Sequence, residues 1–271
     1  MLIIAERINS TRKNIAPAVK NRDTAFIQNE AKKQADAGAN YIDCNAATVG
    51  PEAEPDALCW LVKVVQDTVN LPISLDSPNP KAIAAAMKVH RGTPLVNSIS
   101  GERERITNLL PLIVEHKPKV MALCMDDRGM PQSAADRIDA GTKLLDQMLA
   151  AGVPQSDIII DPLICPISTD SNHGHMVFEA IRALKQRYPA AMISIGLTNV
   201  SFGLPERKWL NRAMLLLAMG AGMDAVIIDP TDAEQMALMF AAETLLGRDE
   251  MCANYIMAAR EGKLTNKPKT I

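Results

Sequence analysis

Aromatic side chains are scarce in this chain of 271 residues: four Phe, three Tyr and two Trp. An aromatic core is therefore excluded. The core has to be aliphatic, drawn from Ala, Leu, Ile, Val and fifteen Met. Clustered Lys and Arg are also missing; the net charge is −2 with both signs interspersed. Nucleic-acid binding needs a concentrated basic face that releases counterions, so no such partner is expected. The five cysteines (Cys44, Cys59, Cys124, Cys165, Cys252) are scattered, odd in number and without C-x-x-C spacing. That argues against a disulfide framework or a zinc site and for reduced thiols. No apolar stretch approaches the roughly 20 residues of a membrane-spanning helix. The opening Met1-Leu2-Ile3-Ile4-Ala5-Glu6-Arg7 is too short an apolar run for a secretory signal. A soluble, cytoplasmic protein without membrane contact is the expectation.

Nearly half the residues are apolar, and they are organised. Short apolar runs occur at Leu2–Ala5, Ala39–Cys44, Pro72–Leu75, Pro94–Asn97, Lys119–Cys124, Asp157–Asp161, Met192–Leu197 and Asp224–Asp229. Such runs read as parallel strands buried on both faces. A helical stretch follows each: Arg22–Ala37, Asp56–Val69, Pro80–His90, Glu102–Glu115, Ser133–Ala151, His175–Arg187, Lys208–Met219 and Asp232–Leu246. Asp56 and Ser133 are candidate N-caps, and Gly38, Gly152 and Gly247 stand where helices stop. Strand and helix alternating eight times predict a single (β/α)8 TIM barrel, which typically needs about 250 residues. A doubly wound open sheet is the rival. The barrel is expected over residues 1–260, with a polar, mobile tail over 261–271.

In such barrels the active site lies at the C-terminal ends of the strands. The residues closing the runs are Glu6 and Asn9, Asp43 and Asn45, Asp76, Asn97, Asp126 and Asp127, Asp161, Asn199 and Asp229. Any one Asp or Asn there could simply cap a turn. A whole ring facing one cavity asks for a ligand. With almost no Lys, Arg or His among them, and no Gly-rich turn, a phosphate is not indicated. A neutral ligand rich in N–H donors is. The 2-amino-4-oxo edge of a pterin fits, because a carboxylate can accept two parallel N–H bonds from it.

These residues also carry a resemblance. The segments Leu2-Ile3-Ile4-Ala5-Glu6-Arg7-Ile8-Asn9, Tyr41-Ile42-Asp43-Cys44-Asn45, Leu75-Asp76-Ser77, Val96-Asn97-Ser98, Ile160-Asp161-Pro162-Leu163, Gly196-Leu197-Thr198-Asn199-Val200-Ser201 and Asn211-Arg212 run through essentially the whole chain. In that order and spacing they resemble the pterin-binding methyltransferases, especially the methyltetrahydrofolate:corrinoid protein methyltransferases. The resemblance implies methyl transfer between N5 of tetrahydrofolate and the cobalt of a corrinoid. It implies one-carbon metabolism, such as methyl-donor demethylation or the acetyl-CoA pathway. Tetrahydrofolate or 5-methyltetrahydrofolate would be the substrate, and the cobalamin would arrive on a corrinoid protein. By the same resemblance Asp76, Asn97 and Asp161 hold the pterin ring, with Glu6 and Asn9 in the binding set. Asn199 approaches N5, Asp43 and Asp76 complete the catalytic network, and Arg207 reaches the distal part of the folate. The stretch Phe202-Gly203-Leu204-Pro205 stands where a more polar one is expected. A homodimer is implied, with the Met- and Ala-rich late helices as its apolar face.

Several bland features compete. His173-Gly174-His175 lacks a third ligand, so no metal site is expected. Cys44 has no His partner at a strand end and reads as a small buried residue. Glu102-Arg103-Glu104-Arg105 reads as a solvated face, and the Met-rich segment 214–239 as core. The enzymatic rival is a dihydropteroate synthase-like pterin enzyme. That family has an Asp-Pro-Gly-Phe turn, where this chain reads Asp161-Pro162-Leu163-Ile164. The non-enzymatic rival is a scaffold binding folate and corrinoid protein without turnover.

Overall fold

The structure, a computed structural model, describes residues 1–264. Eight parallel strands carry the chain: β1 Leu2–Asn9, β2 Tyr41–Asn45, β3 Ile73–Asp76, β4 Leu95–Gly101, β5 Lys119–Asp126, β6 Ile158–Asp161, β7 Met192–Ile193 and β8 Ala225–Ile228. They pair in the order β7-β6-β5-β4-β3-β2-β1-β8. The ring closes where Gly196 bridges Ile227 in parallel and the Ile227 N–H donates to the Ile195 carbonyl at 3.1 Å. It is the single (β/α)8 barrel expected, not an open sheet.

Among the described residues ten α-helices accompany it: α1 Ala16–Lys20, α2 Thr24–Asp36, α3 Glu54–Gln66, α4 Pro80–Val89, α5 Arg103–His116, α6 Ala134–Ala150, α7 His173–Arg187, α8 Arg207–Ala221, α9 Ala233–Leu245 and α10 Ala253–Arg260. Eight match the expected stretches to within a few residues. Their ends obey local chemistry. Ser133 accepts from the Asp136 N–H and Asp232 from the Gln235 N–H, each satisfying an orphan donor of a first turn. Asp56 is not the cap of α3. That helix starts at Glu54, because Pro55 is tolerated in a first turn, where no N–H is needed. The helices α1 and α10 were not foreseen. The polar tail expected over 261–271 lies, from residue 265 onward, outside the described residues.

The barrel interior holds Ile4, Tyr41, Leu95, Met121, Ile159 and Ala225 in one apolar cluster. The opposite faces of the strands pack on the helices in a larger aliphatic shell. Met214, Met219, Met223, Met236 and Met239 are buried there, which is their expected role. Alternation along each strand sends every second side chain inward. Above the apolar layer those inward positions become Glu6, Asp43, Ser74, Asp76, Asn97, Asp161 and Ser194. The strand β1 slips register against β2 between Ala5 and Ile8, so that Asn9 comes level with Asn45. A bulge of this kind re-aims a side chain, and here it brings Asn9 to the polar mouth.

Candidate active site

The mouth of the barrel is built from two groups of polar side chains. The first spans β1 to β4. The Asp76 carboxylate accepts from Asn9 Nδ2 at 3.2 Å and from Asn45 Nδ2 at 3.0 Å. The Asp43 carboxylate accepts from Ser74 Oγ at 2.5 Å and from Asn97 Nδ2 at 3.1 Å. Burial pushes Asp76 up to about 6, opposed by the Asn45 bond and reinforced by the charge of Glu54. Asp43 is raised well above the usual carboxylate range, first by burial and then by the neighbouring charge of Asp76. Two such carboxyls resist ionising together and titrate as a pair. The pair therefore gives up its protons at higher pH than exposed carboxyls do.

The second group lies across the mouth on β6 and the segment after β7. Asp161 is 6% exposed, and its Oδ1 accepts from the Leu163 N–H at 2.8 Å. The Gly196 N–H also bonds this carboxyl, but burial dominates and pushes it up to about 7. Leu163 itself has φ +62°. That left-handed conformation suits glycine, so the Asp161-Pro162-Leu163-Ile164 turn keeps a glycine-like backbone with leucine in it. Ser194 Oγ is fully buried and has no hydrogen-bond partner among the described residues. Buried hydroxyls are normally satisfied, so this one has donor and acceptor capacity to spare beside Asp161.

Asn199 does not end a strand. The strand β7 stops at Ile193, and Asn199 sits on a 3-10 turn over Leu197–Ser201. Of the expected run Met192–Leu197 only Met192–Ile193 is strand; beyond it the Ser194 N–H still donates to the Ile160 carbonyl at 2.8 Å, and Gly196 bridges Ile227. Asn199 is exposed, and its side-chain amide has no hydrogen-bond partner among the described residues. The amide folds back over Gly196: a Cβ on that glycine would meet Asn199 Nδ2 at 2.9 Å. Since the Gly196 N–H faces Asp161, Asn199 and Asp161 share one side of the mouth. Arg207 opens α8. Its Nε donates to Ser201 Oγ at 2.9 Å and its Nη2 to the Thr198 carbonyl at 2.6 Å, and it lies over the Phe202 ring. It is exposed and at present buttresses the turn carrying Asn199.

Glu6 is bonded by Arg12 at 3.0 Å, and burial raises its carboxyl above the usual range. The ring of strand-end acids is therefore not uniformly turned to one cavity. Arg128 forks onto Asp126, Arg103 pairs with Asp127, and Arg7 pairs with Asp229 at 2.8 Å. Arginines reach the rim from the loops and helices, where a reading of strand ends does not find them. Arg105 likewise is not a solvated residue. Half-buried, it donates to the Pro78 carbonyl at 2.5 Å, to the Ser77 carbonyl at 3.4 Å and to the Ser98 carbonyl. It thereby ties the loop that follows Asp76 to β4 just past Asn97. Asn45, already among the residues closing the runs, belongs to the mouth, and so do Ser74 and Ser194, which a reading of strand ends passes over. Their alternation with Asp43, Asp76 and the interior residues was the available signal. His173 is the first residue of α7, and its Nδ1 lies 3.1 Å from the Pro166 carbonyl.

Residues 5–229 match the pterin binding enzyme family. The chain belongs to that family. It is 36% identical over 267 residues to a methylcorrinoid:tetrahydrofolate methyltransferase of Eubacterium limosum, covering 97% of this chain and 98% of the relative. It is 30% identical over 241 residues to methionine synthase of Mycobacterium tuberculosis, which covers 84% of this chain but 20% of that much longer protein. A dihydropteroate synthase of Thermus thermophilus, solved in complex with 6HMPPP, shares the fold at a TM-score of 0.64 and 20% identity. That superposition covers 88% of this chain and 92% of the synthase.

Proposed function

We propose that this protein transfers a methyl group between N5 of tetrahydrofolate and the cobalt of a corrinoid carried by a partner protein. The observation that carries the reading is its end-to-end likeness to a methylcorrinoid:tetrahydrofolate methyltransferase. The mouth of the barrel fits the substrate that this implies. Asp161 accepts from the Leu163 and Gly196 N–H groups and keeps further lone pairs for the amino and ring N–H groups of a pterin. Asp76 and Asn97 hold the ring from the opposite side, with Glu6 and Asn9 on the rim. Arg207, released from the Thr198 carbonyl, has the reach and charge for a distal carboxylate of the folate.

The cobalt supplies the methyl acceptor in one direction and the methyl donor in the other. The protein supplies orientation and charge stabilisation. Asn199 places an unpaired amide beside the ring site, where it meets the charge that changes at N5 as the C–N bond breaks or forms. Asp43 and Asp76, both raised by burial, are the groups from which a proton would reach N5 through water. The exposed rim around Asn199, with Phe202 and Trp209 66% and 68% exposed, leaves the top face open to a docking corrinoid protein. A dihydropteroate synthase-like activity is disfavoured by leucine in the Asp161–Ile164 turn, and a scaffold without turnover by the unpaired amide of Asn199.

The test is direct. Purified protein mixed with methyltetrahydrofolate and cob(I)alamin should convert the visible spectrum to that of methylcobalamin at a rate that depends on protein. No acceleration, with folate binding intact, would leave the scaffold reading standing.

Assembly and location complete the reading. Leu245 and Met251 are 87% and 86% exposed, and Ile256 and Met257 lie on the neighbouring helix α10. Apolar side chains in such number are commonly covered by a second copy. Light scattering should give about twice the 29.4 kDa chain mass. A monomer mass at micromolar concentration would remove the homodimer. The cytoplasm suits the free cysteines. No helix among the described residues is long and apolar enough to cross a membrane.

A further inference from the structure

The largest wholly buried side chain among the described residues is a charged one, Arg137 on α6. Its guanidinium meets no carboxylate among the described residues. Nε donates to the Leu163 carbonyl at 3.2 Å and Nη1 to the Ser133 carbonyl at 2.9 Å. The remaining contacts are sulfur: Met176 Sδ at 4.0 Å and Cys165 Sγ at 3.8 Å. A guanidinium does not shed its proton in a protein, so the charge stays. An uncompensated buried cation is costly, and proteins seldom retain one without a partner.

The backbone shows which partner it serves. Leu163 donates its N–H to Asp161 Oδ1 and accepts from Arg137 with its carbonyl. One residue in the left-handed conformation thus links the cation to the carboxylate. Close helix packing sets the reach: at Gly141, one turn along α6, a Cβ would meet Cys124 Sγ at 2.6 Å. We propose that Arg137 is a positioning residue for folate binding, supplying the buried countercharge for Asp161 and aiming its carboxylate through the Leu163 backbone. This rests on the assignment of Asp161 to the pterin. The groups facing Asp161 are Arg137 from α6, the Cys124 thiol from β5 and the backbone N–H groups of Leu163 and Gly196. Asp43 and Asp76 titrate in the same mouth, Cys165 faces Arg137 from the loop after β6, and the charge of Asp136, its neighbour on α6, also acts on the guanidinium. Arg137 lowers the Asp161 carboxyl against the larger effect of burial.

Two measurements test it. In the ligand-free parent protein, the Arg137 Nε–H resonance should titrate with the Asp161 carboxyl carbon, at one shared midpoint near neutrality. In Asp161→Asn that step should vanish. Second, Arg137→Gln should move the acid limb of methyltetrahydrofolate affinity to higher pH. Kd should weaken about tenfold at pH 7 and recover by pH 9, with kcat at saturation changed less than about twofold. Arg137→Lys, which keeps the charge, should restore most of the affinity at pH 7. In the Asp161→Asn background, Arg137→Gln should leave the pH profile unchanged. An Arg137 resonance indifferent to Asp161 overturns the proposal, whether or not the glutamine variant folds. A loss of affinity equal at every pH overturns it as well, since that is the signature of damaged packing. If the parent protein binds no folate, the methyl-transfer reading fails, while the resonance titration still decides whether Arg137 and Asp161 act together.

Discussion

Asp161→Ala is expected to weaken methyltetrahydrofolate binding by about 10²-fold or more, with a smaller change in kcat. In the proposed assignment the substitution removes two charge-assisted bonds, each worth about 1.5–3 kcal/mol, and every 1.4 kcal/mol is about tenfold in Kd. The pterin edge does not react, so these bonds hold the ground state and transition state alike. Losing them is a uniform-binding defect. Asp161→Asn separates ligand binding from turn structure. Its Oδ1 can still accept from the Leu163 N–H, while its amide presents N–H where the pterin needs an acceptor. It should bind nearly as poorly as the alanine variant. The sign of the pH effect follows from the same carboxyl. Burial pushes Asp161 up to about 7, and the ionised form is the one that accepts both bonds. Affinity should therefore be full well above pH 7 and fall about tenfold per unit below it. Asp161→Asn should lack that limb. Calorimetric titration across this range checks both statements, and parent-like affinity in Asp161→Ala would take Asp161 out of the site.

The barrel was legible because its signal is redundant. Eight apolar runs alternate with eight helical stretches, and an error of two residues at any boundary leaves the count unchanged. Acids at strand ends were legible for the same reason, since the C-terminal end of each strand is a defined place. Alternation past those ends was less secure. The strand β7 ends at Ile193, so Asn199 reaches the mouth from a turn, and no period-2 pattern could have located it. The arginines were the main omission. Arg105 and Arg137 lie on helices, in segments that read as solvated or amphipathic, and their targets are backbone carbonyls that have no sequence signature. Asp126, Asp127 and Asp229 look equivalent to Asp76 and Asp161 in sequence, yet each is taken by an arginine. Which acids remain for a ligand is a property of packing.

Asn199→Ala should lower the rate of methyl transfer by roughly 10²-fold or more, the scale for removing one preorganised donor where charge develops. Its effect on folate affinity should be smaller than that of Asp161→Ala, because in the proposed assignment the amide stands at N5 and matters most when the C–N bond is changing. The geometry supports preorganisation from three sides. Gly196 leaves room for the amide, and the Asn199 N–H is tied to the Gly196 carbonyl at 3.1 Å. Arg207 clamps the turn from behind through Ser201 and Thr198. The side-chain amide itself is unpaired, so it need not break a protein bond to serve the ligand. Asn199→Asp distinguishes donor from acceptor. An ionised carboxylate cannot donate, but it can accept from a protonated N5. If Asn199 donates, both variants are slow. If it accepts, the aspartate variant keeps much of the parent rate. Stopped-flow transfer at saturating methyltetrahydrofolate reads the difference. Parent rates in both variants would reduce Asn199 to a turn residue and move the reaction centre toward the Asp43 and Asp76 side of the mouth.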